Sequence, residues 1–147
     1  MTEFRNLIGG EPIASSAGKT FEDINPADTR DIVGRFQAST AADARAAVAA
    51  AAAAFDGWRE TPVSKRAKVL LSAADYIETN AARFAEEMTR EEGKSIALAK
   101  DEFLRSAQTL RFYAIEGQSY GGESFPQDDA DMLVYTAREP LGVVAVI

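Results

Sequence analysis

The chain has 147 residues, 46% of them hydrophobic, enough for one ordinary domain with its own core. Its 16 Lys and Arg against 23 Asp and Glu leave a net charge of −7. Such a surface repels phosphate backbones and anionic lipid, so nucleic acid and membrane are excluded as expected partners. The sequence contains neither Cys nor His, which excludes disulfides, thiolate nucleophiles, Ser-His relays and zinc held by sulfur or imidazole.

No run approaches the roughly 20 consecutive apolar residues that a membrane span needs. The opening Met1-Thr2-Glu3-Phe4-Arg5 lacks a basic region followed by an apolar one, so no secretory signal is read and a cytoplasmic location is expected. Residues 4–37 read as extended. A hairpin is expected from Phe4 to Ile13 around the turn Gly9-Gly10. A second strand follows over residues 21–24, closed by the turn Asn25-Pro26-Ala27-Asp28, and residues 31–36 alternate as a third.

Thr40 is placed to cap a first helix rich in alanine, including the run 49–54. Val48, Ala52 and Phe55 form its apolar stripe, and Gly57 is expected to end it. Pro62 suits the first turn of a second helix, whose buried face is Val69, Leu70, Ala73 and Ile77. Asn80 is expected to break that helix and cap a third, carrying Phe84, Ala85 and Met88 and ending at Glu92-Gly93. A fourth helix runs from about Ser95 to Glu116 with Ile96, Ala99, Phe103, Ala107, Leu110 and Ala114 on one side, stopped by Gly117. Residues 117–131 read as an acidic, glycine-bearing loop. A strand is expected over residues 132–139 and a last one over 143–147, whose five consecutive apolar residues suit burial on both faces of a parallel sheet. A parallel strand needs a crossover of a dozen or more residues to its neighbour, so the chain is expected to stop at the threshold of an α/β domain.

Candidate sites read mostly as scaffold. Glu91-Glu92-Gly93-Lys94 fits a helix C-terminus, with glycine in the left-handed conformation and lysine near exposed carbonyls, better than a catalytic acid beside a cation. Glu102 lies next to the apolar face of the fourth helix, where a partly buried, ion-paired carboxylate is expected. Asp128-Asp129-Ala130-Asp131 lacks the glycine and distal glutamate of a calcium loop and reads as solvated. Phe112, Tyr113 and Tyr120 follow helical spacing and are expected in the core. The glycines at 9–10 and 121–122 make neither G-x-G-x-x-G nor a P-loop.

In order and spacing, these landmarks resemble the aldehyde dehydrogenase superfamily over the entire chain. They are Asn25-Pro26, the 49–54 run leading to Phe55 and Trp58, the Arg66 helix and Glu92-Gly93-Lys94. Glu102, Leu110-Arg111-Phe112-Tyr113-Ala114 and Arg138-Glu139-Pro140-Leu141-Gly142-Val143 complete the set. The resemblance implies an α/β fold of the aldehyde dehydrogenase type, here only its N-terminal portion. Residues 1–123 would be a β-arm and four helices of the cofactor-binding domain, 124–141 an oligomerisation arm, and 142–147 the truncated first strand of a Rossmann-like sheet.

The resemblance further implies oxidation of an aldehyde to a carboxylic acid with NAD or NADP through a cysteine thioester, in a homo-oligomer paired through the 132–139 strand. No catalytic residue and no metal ligand carries over, and only Ile147 falls at a position that would line the nucleotide cleft. Glu92, Gly93, Lys94, Glu102 and Arg138 carry over as scaffold and interface residues. The segment by itself is expected to be inactive. Asn25-Pro26-Ala27-Asp28-Thr29, Val33-Gly34 and the stretch from Phe112 to Glu123 resemble the branch handling semialdehydes such as α-ketoglutaric semialdehyde. The alternative is a non-catalytic helical interaction module, or the product of a broken gene.

Overall fold

A computed structural model describes residues 2–147. Three antiparallel strand pairs and four helices follow one another along the chain. β1 (Asn6–Ile8) and β2 (Glu11–Ile13) pair around Gly9 and Gly10. Both turn glycines have positive φ, 63° and 87°, the backbone that a two-residue hairpin turn demands. β3 (Thr20–Ile24) pairs with β4 (Ile32–Gln37), with a register irregularity between Asp23 and Ile24. The N-terminal residues join the edge of β4, where the Phe4 amide donates to the Arg35 carbonyl at 2.8 Å. Phe4 stacks on Phe36 with ring centroids 4.8 Å apart. The stacking explains Gly34, since a methyl there would stand 2.6 Å from Phe4 Cε2.

α1 (Ala41–Glu60) starts as expected at Thr40, in a full capping box with Asp43. It does not end at Gly57. That glycine keeps helical backbone, and the helix stops where Pro62 prevents continuation; the Thr61 hydroxyl then donates to the Gly57 carbonyl at 2.8 Å. The expected apolar stripe is a second correction: Val48 is 57% exposed and Ala52 is exposed too. Among the described residues, Asp43 is the only buried one in α1, because none of the other described helices packs along it.

The core lies among the other three helices. α2 (Val63–Thr79) and α3 (Ala81–Glu92) both pack on α4 (Ile96–Ser119). Ala67, Ala74, Ala81, Ala85, Ala99, Ala107 and Ala114 are buried, and among the described residues no large side chain is buried as completely. Leu70, Ile77, Phe84, Met88, Phe103 and Leu110 flank them half-buried. Small residues stand at the closest approach and larger ones fill the grooves beside it, as ridge-into-groove packing requires. Val69 and Ile96, expected to be inward, are exposed. Pro62 is the N-cap of α2 rather than a first-turn residue. Asn80 marks the α2–α3 boundary, yet its side chain donates back to the Tyr76 carbonyl at 2.8 Å and caps nothing in α3. α3 ends at Gly93 in the left-handed conformation, as the sequence predicts.

Beyond α4 the chain is thin. α4 runs through Gly117 to Ser119, because Gly117 also keeps helical backbone. β5 (Ser124–Phe125) lies within the expected loop and pairs with β6 (Val134–Tyr135), the only part of 132–139 to form a strand. Residues 143–147 form none: a strand needs a ladder partner, and they have no such partner among the described residues. No described helix is long and apolar enough to cross a membrane.

Candidate functional site

Two constructions bring the sequence landmarks together. The first clamps the Asn25-Pro26 turn to the end of α3. Asn25 Oδ1 accepts from the Ala27 amide at 2.9 Å, closing the turn, while its Nδ2 donates to Asp31 Oδ2 at 3.1 Å. Asp31 in turn receives both prongs of the Arg90 guanidinium, at 3.0 and 2.6 Å. Pro26 packs so near Gly93 that a Cβ there would meet its Cγ at 3.2 Å. The next residue, Lys94, bonds Glu102 on α4 and lies 3.2 Å from Glu92. Glu102 is paired as expected, although it is exposed rather than partly buried. These groups fix where the strand layer meets the helices. Their chemistry is that of a joint, with every charge answered by its partner.

The second construction is a groove of about 1040 Å³ between the end of α1, the start of α2, the end of α4 and residues 137–141. Phe55, Trp58 and Leu141 supply apolar wall, and Arg59, Arg66 and Arg138 supply charge. Arg66 Nη1 donates to the carbonyls of Arg59 and Thr61, at 2.9 and 2.6 Å, so it also closes the C-terminus of α1. Arg138 lies over the Tyr120 ring, 4.1 Å from its centroid. Tyr120 is therefore a platform at the surface. Phe112 and Tyr113 are likewise exposed and meet edge to face at 5.2 Å; all three depart from the core position that helical spacing suggested.

The aldehyde dehydrogenase family model matches residues 13–147. The chain belongs to that family. It is 42% identical to α-ketoglutaric semialdehyde dehydrogenase of Bacillus subtilis over 144 residues, which are 98% of this chain and 30% of that relative. Among solved structures it is similar to a salicylaldehyde dehydrogenase from Pseudomonas putida G7, with a TM-score of 0.91 and 32% identity over 97% of this chain and 29% of that one. An NAD-dependent aldehyde dehydrogenase from Sinorhizobium meliloti follows, at a TM-score of 0.90 and 28% identity, over 95% and 28% of the two chains. The chain thus spans less than a third of the length of these relatives. The N-terminal fold expected from the landmarks is the fold they share, and the Bacillus enzyme stands in the semialdehyde branch to which residues 25–34 and 112–123 pointed.

The aldehyde dehydrogenase cofactor is a dinucleotide, and the residues present do not fit one. Ile147 is fully exposed and lines none of the grooves described. Gly9-Gly10 sits in a hairpin turn, and Gly121-Gly122 follows α4 rather than opening a helix, so neither presents helix N–H groups to a pyrophosphate. No group of three or more acidic side chains able to hold a metal ion is found among the described residues.

Sequence reasoning did not find the Asp31–Arg90 clamp, the Arg66 closure or the Arg138–Tyr120 stack. Arg66 and Arg138 were at hand as landmarks, but their partners are set by the tertiary fold.

The clamp has a consequence for acid stability. Arg90, then Asn25, hold the Asp31 carboxyl down to about 2, and hydrogen bonds from the backbone of Thr40 and Ser16 hold Asp43 lower still. A carboxylate lowered on folding stabilises the fold above its unfolded pKa of about 4, and that support fades as pH falls toward the folded value. Thermal melts followed by circular dichroism should therefore show stability lost from about pH 4 to about pH 2. Asp31→Asn should melt below the parent at neutral pH, with the gap closing through that window. A gap unchanged at low pH would show that the Asp31 charge is not its source.

Proposed function

We propose that this chain is the N-terminal portion of an NAD- or NADP-dependent enzyme that oxidises an aldehyde to a carboxylic acid through a cysteine thioester. The match of the family model over residues 13–147 carries this reading. Residues 1–123 act as the β-arm and helical part of the cofactor-binding domain, 124–141 as an oligomerisation arm, and 142–147 as the opening strand of the nucleotide-binding sheet. Cofactor and aldehyde are bound mainly by parts of the enzyme outside this sequence. The substrate is a semialdehyde of the α-ketoglutaric type, a reading supported by the name of the Bacillus relative. The working form is a homo-oligomer joined through 132–139, where β6 leaves most of the segment unpaired within one chain.

The 147-residue chain alone is inactive on this reading, because without a cysteine it forms no covalent intermediate. Incubated with α-ketoglutaric semialdehyde and NAD or NADP, it should produce no reduced nicotinamide. A product extended in frame from the coding DNA beyond Ile147 should produce it readily. Turnover by the 147-residue chain would overturn the assignment of roles. A stop codon directly after Ile147, with a stable soluble product, would favour the helical interaction module.

A further inference from the structure

We propose that the outer edge of β4 is a peptide-binding site for an extended segment carrying an aromatic ring, which residues 2–4 fill as a displaceable internal ligand. The inference is independent of the dehydrogenase reading, since those residues precede the span that the family model matches. They lie parallel to β4, with Glu3 opposite Arg35. The Phe4 amide donates to the Arg35 carbonyl at 2.8 Å, and the Arg35 amide donates to the Thr2 carbonyl at 3.0 Å. Where that ladder stops, the side chain of buried Gln37 donates to the Phe4 carbonyl at 3.0 Å. This is strand addition to a sheet edge, in which backbone bonds give affinity and a side-chain slot gives selectivity.

The slot lies over Gly34. A Cβ there would stand 2.6 Å from Phe4 Cε2, so the ring occupies the space that the glycine leaves open. The same ring stacks on Phe36 at 4.8 Å with the two planes 12° apart. Among the described glycines only Gly34 has an aromatic ring in that space, and a glycine inside a strand often marks close approach by a partner. The walls of the slot are held from elsewhere. Phe36 is backed by Phe21, with centroids 6.0 Å apart, and the β4 backbone is paired with β3. Gln37 Oε1 accepts from the Ser15 amide at 2.8 Å, which fixes the amide that reaches the incoming carbonyl. Residues 2–5, by contrast, are all exposed and sit at a chain end. The site therefore outlasts its occupant, and a terminus so lightly held exchanges with a competitor.

The test uses the full chain, isotopically labelled for amide NMR and kept dilute. It is titrated with the unlabelled peptide Thr-Glu-Phe-Arg-Asn, blocked at both ends, and with the same peptide carrying alanine for phenylalanine. In Phe4→Ala the slot is vacant, so the phenylalanine peptide should shift the Gly34 and Arg35 amide signals saturably through its ring current. The alanine peptide should bind about tenfold more weakly or worse. In the parent the resident segment competes, so about tenfold more peptide should be needed, and it should move the Phe4 amide to its position in unstructured chain. Adding Gly34→Ala to Phe4→Ala puts a methyl in the slot with no resident ring to strike. That double variant should fold and lose the response. Should Phe4→Ala not fold, release of the Phe4 amide in the parent decides the matter by itself. No saturable shift in folded Phe4→Ala, no release in the parent, equal responses to the two peptides, or an undiminished response in the double variant would each overturn the proposal.

Discussion

Replacing Ala107 with leucine is expected to destabilise the helical unit by about 3 kcal/mol, at the upper end of the cost of overpacking. Ala107 has no exposed surface and stands on the buried face of α4, between Ala99 and Ala114, which are as deeply buried. α4 is the helix on which both α2 and α3 pack. At such a position the helix axes are held apart by no more than a methyl group. Three added carbons cannot be taken up by a local rotamer change and must push a neighbouring helix outward. Displacing α2 or α3 would also strip half-buried Leu70, Ile77, Phe84 and Met88 of their contacts. Gln108→Leu, one residue along on the exposed face, should stay within about 0.5 kcal/mol of the parent. Urea midpoints for the two variants make the comparison. Equal midpoints would mean that the alanine seam does not set the helix spacing.

How much of this was readable beforehand follows from the range over which each feature is determined. The Gly9-Gly10 hairpin, the Thr40 cap and the Gly93 stop depend on a few adjacent residues, and each is where the sequence places it. The buried side of α4 was legible from its period, since Ala99, Phe103, Ala107, Leu110 and Ala114 recur at helical spacing. Gly57 and Gly117 misled, because glycine ends a helix only where the backbone turns left-handed, and both stay helical. The stripe Val48, Ala52 and Phe55 is a correct helical pattern, but the pattern does not say what covers it.

The candidate site was less legible than the fold. Arg66 and Arg138 stood out as landmarks, yet they are 72 positions apart in sequence and reach one groove only because α4 carries the chain back past the start of α2. The clamp of Asp31 by Arg90 spans 59 positions for the same reason. Neither segment signals the other, since a salt bridge has no period. Phe112 and Tyr113 show the converse: their spacing suits a core, and their exposure follows from the three-helix packing having already filled the other side of α4.

The second large effect is expected in solution rather than in the fold: the purified chain should self-associate as its concentration rises, through residues 141–147. Leu141 is 96% exposed, Val146 93%, and Ile147 completely. The seven residues Leu141-Gly142-Val143-Val144-Ala145-Val146-Ile147 carry no side-chain charge and no proline, are rich in β-branched residues, and have no strand beside them among the described residues. That is the composition of segments that pair with copies of themselves, because an open backbone edge and apolar faces on both sides are satisfied at once by a second strand. The net charge of −7 opposes encounter but is carried elsewhere on the surface. Placing charge within the segment should therefore matter more than adding it anywhere else. Val144→Lys with Val146→Lys should raise the concentration at which association begins about tenfold, the loss of roughly one buried valine per contact. Sedimentation velocity on a dilution series of both proteins reads this directly. If the double variant associates at the same concentration as the parent, the exposed face of α1 or the unpaired part of 132–139 carries the contact, and the terminal segment does not.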